Sequence, residues 1–379
     1  MKPVLTLARF IVGILFIFSG LVKANDPLGL SYKMQEFFEV WGWNFFNDYT
    51  LSFSILMIAF EIIAGVAVLL GWRMKLFSWL LLLLIIFFTF LTGYAVLSGK
   101  IRTCGCFGDC IPLTAEQSFT KDLILLALIV FIFIFRNSIQ PFFKPLISSR
   151  ILILTTLFSF ALQGYVFRHL PVVDCLPYKV GKNIQQQMKV PPGAVPDSTV
   201  ITFVYNKQGK PVEFTSDNFP ADFDDSLYHF IKRYDKLIRK GNAEPAIKDF
   251  VLTSLGGTDS TNDILSQKGH SLFLFVKDQM NTVYEKDENN QLRLIIADAR
   301  QHAIPLYIVT NTRDVLAQFS QATKDSLLVS TNAFMCDAVA IKTAARANPT
   351  LYLLKDGTIQ QKWAFADMKK AYEVIHAIR

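Results

Sequence analysis

The sequence predicts an N-terminal α-helical transmembrane bundle, four helices plus a fifth span, joined to a C-terminal α/β domain. Three observations carry this. Hydrophobic residues make up 52% of the 379 residues, and the mean hydropathy is +0.34, more apolar than an ordinary soluble chain. Nearly all the long apolar runs fall in residues 1–170, whereas 178–379 has ordinary globular polarity. In that second half, short β-like runs alternate with helical patterns. The formal net charge of +7 is spread along the chain without a dense basic stripe. Nucleic acid is therefore not an expected partner, and the lipid bilayer is.

A bilayer core takes about 20 apolar residues as a helix. The candidate spans are about 4–22, 51–70, 76–97, 122–136, which is short, and 151–167. The first has no small-residue cleavage site before Lys23-Ala24-Asn25-Asp26-Pro27, and more spans follow, so it reads as a helix and not a signal peptide. Loop charge gives the orientation. The loops on the N-terminal side carry Arg73, Lys75, Arg136, Lys144 and Arg150 and no acid, while the loops 23–50 and 98–121 mix bases with acids. The N-terminus is thus expected in the cytoplasm and, after five spans, the C-terminal domain in the periplasm of an inner-membrane protein. Glu61 lies inside the second span. An ionisable group there is costly and faces the bundle interior. Arg9 and Lys23 of the first span are its candidate partners, although Lys23 is expected to snorkel to the interface.

On this topology Cys104, Cys106, Cys110 and Cys175 all fall on the outer face, where thiols are usually paired or redox-active. Cys104 and Cys106 flank Gly105, and glycine permits the tight fold that would let residues i and i+2 approach disulfide distance. A strained, exposed disulfide exchanges easily, so Cys104 and Cys106 are a candidate redox pair, with Cys110 and Cys175 as partners. Two other readings stand beside this one. The cysteines can form static disulfides that stiffen a loop. They can also bind a soft metal, but no histidine lies nearby to complete a ligand set, and no metal is expected.

The stretches GILFIFSGLVKANDPLG (13–29) and Glu61-x3-Gly65-x4-Leu70-Gly71-Trp72 resemble the first two helices of DoxX-type membrane proteins. CGCFGD (104–109), followed by Lys121-Asp122 opening the next helix, resembles the methylamine-utilisation MauE branch. The resemblance covers about residues 4–136. It implies a four-helix bundle in the inner membrane and thiol or quinone-linked redox work, with Cys104 and Cys106 as motif cysteines. Cys110 lies outside the motif. A quinone is the cofactor this resemblance raises, and no residue in the sequence by itself marks its site.

A connector stiffened by Pro171 and Pro177 leaves the fifth span. Residues 169–242 read as this connector plus a small subdomain with β-like runs such as VITFVYN and an amphipathic helix over DSLYHFIKRYDKLIRKG (225–241). From 243 the chain reads as strand pieces around Gly256-Gly257, a buried strand HSLFLFV, a helix NNQLRLIIADARQH, a strand IPLYIVT, the helices RDVLAQFSQAT and AVAIKTAARA, a hairpin turning at Asp356-Gly357, and a closing helix MKKAYEVIHAI. This order, with EPAIKDFVLTSLGG and NPTLYLLKDGTIQQKW, resembles thioredoxin-like domains of the TlpA type. Pro349 matches that family's cis-proline, which shapes the substrate groove. The family's Cys-x-x-Cys is missing, because KDQMNTVY (277–284) contains no cysteine. A helix-start thiolate is thus not available to this domain. Cys336 stands alone and reads as a buried, inert thiol.

The expected organisation is a membrane bundle over 1–137, a fifth span over 150–168, the connector and subdomain over 169–242, and a thioredoxin-like domain over 243–379. The expected function is membrane thiol–disulfide or quinone-linked electron transfer, acting on a periplasmic protein client with thiols and supporting its maturation. The alternative is a non-catalytic envelope scaffold or assembly factor whose cysteines only staple the outer loops.

Overall fold

A computed structural model describes residues 2–101, 105–196, 198–239, 241–277, 288–323 and 332–378. The apolar half forms α1 (Lys2–Ala24), α2 (Pro27–Trp41), α3 (Thr50–Leu70), α4 (Met74–Ser98), α5 (Ala115–Ile134) and α6 (Pro145–Arg168). Among the described residues, all of these except α2 give helices long and apolar enough to cross a membrane. α5 begins earlier than hydropathy alone places the fourth span. Thr114 and Gln117 form a reciprocal capping box that starts it. This capped first turn carries the polar residues Lys121 and Asp122 into the helix. The loop read over 23–50 contains α2, which the sequence reading did not find. Asp26 caps α2 by accepting from the Gly29 N–H at 3.1 Å, and Pro27 sits at its first position, where no backbone donor is needed.

The approach of α1 to α3 depends on glycines. A Cβ on Gly65 would lie 2.9 Å from the Gly13 carbonyl oxygen, and one on Gly20 would lie 2.5 Å from Ile62 Cγ1. Small residues at a membrane helix crossing let the backbones come together. This crossing brings Lys23 of α1 against Glu61 of α3, so Lys23 does not snorkel. It is buried, and its Nζ donates to Glu61 Oε1 at 2.6 Å. Arg9 does not reach Glu61 either. Its guanidinium donates to the carbonyls of Val68 (3.2 Å) and Leu69 (3.0 Å) at the C-terminal end of α3, where the exposed carbonyl dipoles favour a cation.

The connector after α6 is tied back to the bundle. Asn25 and Val173 exchange two hydrogen bonds of 2.8 Å each. Beyond a short helix, α7 (Ile184–Gln187), comes a three-stranded antiparallel sheet of β1 (Ser198–Lys207), β2 (Lys210–Thr215) and β3 (Tyr228–Arg239), in the order β2-β1-β3. The expected helix over 225–241 is therefore a strand. Tyr228, Phe230, Ile231, Tyr234 and Ile238 are aromatic or β-branched and suit a pleated surface. Pairing with β1 also satisfies a backbone edge that a helix would leave open.

The C-terminal unit is a six-stranded mixed sheet in the order β4-β7-β6-β5-β8-β9, an arrangement that resembles a thioredoxin-like fold. Its strands are β4 (Thr253–Ser254), β5 (His270–Val276), β6 (Leu306–Thr310), β7 (Ala333–Met335), β8 (Thr350–Lys355) and β9 (Thr358–Ala364). The helices are α8 (Thr261–Leu265), α9 (Glu288–Gln301), α10 (Arg313–Thr323), α11 (Ala338–Ala344) and α12 (Met368–His376). The continuous run SLFLFV is apolar because β5 is covered on both faces. Leu272, Leu274 and Val276 pack with Ile295, Phe319 and Ile375, while Phe273 and Phe275 pack with Phe250, Tyr352 and Ile341. The Asn348–Pro349 peptide is cis, as the thioredoxin-like resemblance implies. Most of KDQMNTVY lies outside the described residues, which include only Lys277 of that stretch.

Candidate functional site

Residues 105–110 of the sequence motif CGCFGDC lie against Ser19 and Val22 of α1 and Lys33 of α2. Cys104 lies outside the described residues. Gly105 and Gly108 both take left-handed backbone conformations, with φ of 67° and 56°, and the Gly108 N–H donates to the Gly105 carbonyl at 3.0 Å. Glycine suits both positions because it adopts positive φ without steric cost. This turn carries Cys106 inward. Its thiol is free and half-buried, and its carbonyl lies 3.0 Å from Ser19 Oγ. The same hydroxyl lies 3.1 Å from Glu61 Oε2, so its single proton is shared between the motif loop and the Lys23–Glu61 pair.

A second ion pair faces the same loop. Lys121 Nζ donates to Asp122 Oδ1 at 2.5 Å, and Thr92 Oγ1 donates to Asp122 Oδ2 at 3.1 Å. Lys121 also sits 5.4 Å from the Phe107 ring centroid, and Lys23 sits 5.0 Å from that of Phe88. Below these groups is a cavity of about 430 Å³, walled by side chains such as Phe37, Phe60, Phe87 and Leu91, with Cys106, Lys23, Lys121, Glu61 and Asp122 among its lining. The site is an apolar chamber with a thiol, one buried ion pair and one partly buried ion pair in its lining.

Cys110, at the other end of the turn, is bonded to Cys175 of the connector, with Cα atoms 4.8 Å apart. The disulfide closes a long loop that contains α5 and α6, which constrains the unfolded chain. Between Cys106 and Cys110 lies Asp109, and Arg346 of the thioredoxin-like unit reaches it. Arg346 Nη2 donates to Asp109 Oδ2 at 2.7 Å, and Nε donates to Asp26 Oδ2 at 2.7 Å. Burial alone would lower the Arg346 pKa, but the carboxylates of Asp26 and Asp109 outweigh it and hold the group above its ordinary value. The soluble unit is thus fastened directly to the cysteine loop. The cis-proline edge faces α2 across a second, more polar cavity of about 480 Å³, lined by Tyr32, Gln35, Lys277, Lys342 and Asn348 among others.

The sequence-predicted residues therefore separate into groups. Cys106, Glu61 and Lys23 meet at one chamber. Cys110 and Cys175 form a staple. Arg9 caps a helix at the other end of the bundle, and Pro349 lies next to Asn348 of the interdomain cavity. Cys336 is buried in the core with Tyr307, Phe334 and Ile341, and burial pushes its thiol up to about 12. Sequence reading missed Arg346, Asp26 and Asp109. Lys121 and Asp122 were quoted only as part of a motif. Their signal was a base–acid pair at the start of an apolar helix; Arg346 gave none, since its partners lie far away in the chain.

Burial pushes the Cys106 thiol above its ordinary value, and Asp122 adds to this, while Lys121 and Lys23 pull the other way. A raised thiol pKa means little thiolate at neutral pH. In the reduced protein, alkylation of Cys106 is therefore expected to be slow at pH 7 and to keep rising beyond the pH where an exposed thiol has levelled off. Mass-spectrometric alkylation rates across a pH series check this. A plateau below pH 8 would contradict it.

Comparison with known proteins assigns two segments. Residues 1–135 match the family model described as methylamine utilisation protein MauE, so the membrane half is similar to that family. Residues 199–240, which hold the three-stranded sheet, match a model described as a domain of unknown function, DUF8463. Protein TlpB of Flavobacterium psychrophilum is 29% identical over 128 residues, which is 33% of this chain and 35% of that protein. The chain thus spans about a third of the length of that curated relative. A solved thiol:disulfide interchange protein from Bacteroides sp. aligns over 34% of this chain and 88% of its own, at 14% identity and a TM-score of 0.24.

Proposed function

We propose that this multi-pass membrane protein performs thiol–disulfide exchange at Cys104 and Cys106 on the outer face of the inner membrane, in support of the maturation of periplasmic protein clients. The observation that carries this reading is the free thiol of Cys106 in the lining of an apolar chamber, with the Cys110–Cys175 disulfide on the same loop. Oxidation of the Cys104 and Cys106 dithiol forms one S–S bond and releases two electrons and two protons. The chamber fits a lipid-soluble acceptor of the quinone class, in keeping with the DoxX-like features of α1 and α3. Its aromatic walls suit an apolar ring, and Lys23, Lys121 and Thr92 supply donors beside the thiol. When bound, such a group provides a two-electron, two-proton sink. The chain's own residues hold and orient it, exclude water, and keep Glu61 and Asp122 charge-paired at its polar end.

The thioredoxin-like unit contributes no Cys-x-x-Cys. Its role in this reading is to hold the cysteine loop through Arg346 and Asp109 and to present clients beside the loop. A second reading has its own support. The Cys110–Cys175 staple and the inert Cys336 are what a non-catalytic envelope scaffold would show.

Trapping separates the two. Intact cells are quenched with acid, and their thiols are tagged with a membrane-impermeant maleimide reagent. Exchange predicts that Cys104 and Cys106 are found in both oxidised and reduced forms, with mixed disulfides to other proteins. Permanently oxidised, unreactive cysteines, together with normal client maturation in a Cys104→Ser, Cys106→Ser double variant, would leave the scaffold reading.

A further inference from the structure

The three-stranded sheet is an excursion from the chain, closed at its base. The Asn242 N–H donates to the Val195 carbonyl at 2.8 Å, and the Val195 N–H donates to Asn242 Oδ1 at 2.7 Å. One face of the sheet is filled by an aromatic cluster in which Tyr205 and Phe214 stack and Phe219 and Phe223 of the following loop pack on them. The opposite face, which carries Glu213 and Tyr234, is exposed, and so are the two sheet edges, which differ. β2 is short and contains Pro211, which has no backbone N–H to offer. β3 is twelve residues long and has no proline.

Only one side of β3 is paired, by β1. Register shifts leave Ile231 and Ile238 without a facing residue, and between them Lys232 to Leu237 pair with β1 without interruption. Among the described residues no strand lies on the outer side of that run. Phe230, Ile231 and Ile238 are 58%, 50% and 57% exposed. Lysines and bulges on an edge strand are a common protection against unwanted pairing. Here the edge also exposes these large apolar side chains beside the lysines. The charge is one-sided as well. β3 carries Lys232, Arg233, Lys236 and Arg239 against the single carboxylate of Asp235, which Arg233 already holds through two bonds of 3.0 and 3.1 Å. By strand alternation Lys232, Tyr234 and Lys236 project from one face.

We propose that the outer edge of β3 is a docking site for an extended, acidic segment of a partner polypeptide, which adds to the sheet as a fourth strand. Main-chain hydrogen bonds to the Lys232–Leu237 run supply the pairing. Carboxylates at alternate positions meet Lys232 and Lys236, and apolar residues between them cover Phe230 and the two isoleucines. Nothing in this docking depends on the cysteines, so it stands whether or not the protein exchanges disulfides.

Fluorescence polarisation tests it on the full chain in nanodiscs of zwitterionic lipid. The probes are labelled peptides of about 10 residues, one alternating Val with Glu, one alternating Val with Lys, and one Val/Glu peptide N-methylated at every amide, so that neither of its edges can donate. The Val/Glu peptide is expected to bind at least ~10-fold more tightly than either other peptide, a difference of about 1.4 kcal/mol, and to weaken as salt rises. In a Lys232→Glu, Lys236→Glu variant the order of the two unmethylated peptides is expected to reverse. Equal binding of the methylated peptide would show that no strand is added and would overturn the proposal. So would equal binding of Val/Glu and Val/Lys in the unaltered chain, a comparison that needs no variant to fold. Loss of all Val/Glu binding on changing to anionic lipid at the same ionic strength would assign the strand to the lipid surface and also overturn it.

Discussion

Replacing Cys106 by serine is expected to lower the rate of client disulfide exchange by about three orders of magnitude, the scale seen when a reacting side chain is removed from a catalytic unit. The expectation follows from position. Cys106 faces the interior and Cys104 precedes the glycine that turns the chain, so Cys106 is assigned the resolving step. Offered a disulfide-bonded client, which runs the reversible exchange backwards as a trap, the variant retains the Cys104 thiol but cannot complete the second exchange. A mixed disulfide between Cys104 and the client should therefore accumulate in Cys106→Ser and not in Cys104→Ser. Non-reducing electrophoresis after acid quenching measures both species. Unchanged turnover in Cys106→Ser would remove this cysteine from the chemistry and leave the loop to the Cys110–Cys175 staple.

Much of the architecture was legible in the sequence because it rests on local signals. Five apolar runs gave five spans, and SLFLFV, LYIVT and the Asp356-Gly357 turn gave the centre of the thioredoxin-like sheet. Helix α2 was hidden because its apolar positions are interrupted by Lys33, Gln35 and Glu36; its start signal, Asp26-Pro27, lies in the stretch 23–50 that reads as a loop. β3 was misread because YHFIKRYDKLIR satisfies a helical spacing as well as a strand composition, and its pairing with β1 decided between them. The site was legible in part. The motif located Cys106, and the intramembrane carboxylate located Glu61. Their meeting required the glycine-permitted crossing of α1 and α3, and the fastening of Asp109 required an arginine more than two hundred residues away. No local pattern encodes either.

The position of Lys23 leads to a second large effect. Lys23 and Glu61 are 3% and 1% exposed, and Glu61→Ala removes the carboxylate while leaving the ammonium in place. Breaking a buried ion pair on one side costs about 3–5 kcal/mol, whereas replacing both partners by apolar groups of similar volume is often neutral. Glu61→Ala is therefore expected to lower the denaturation midpoint of the detergent-solubilised protein sharply, and Lys23→Met with Glu61→Leu to restore it. The double variant then separates a mechanical role for the pair from a chemical one. If the pair only locks α1 to α3, the stable double variant exchanges disulfides and regenerates its cysteines as the unaltered protein does. If the chamber takes an electron acceptor, the polar end provided by Lys23, Glu61 and Ser19 is needed for proton handling beside the thiol. Client exchange should then survive, while regeneration of the oxidised cysteines in membranes falls by about a hundredfold or more. The second outcome is the one expected, because Ser19 links Glu61 directly to the carbonyl of Cys106. Full regeneration in a stable double variant would refute it.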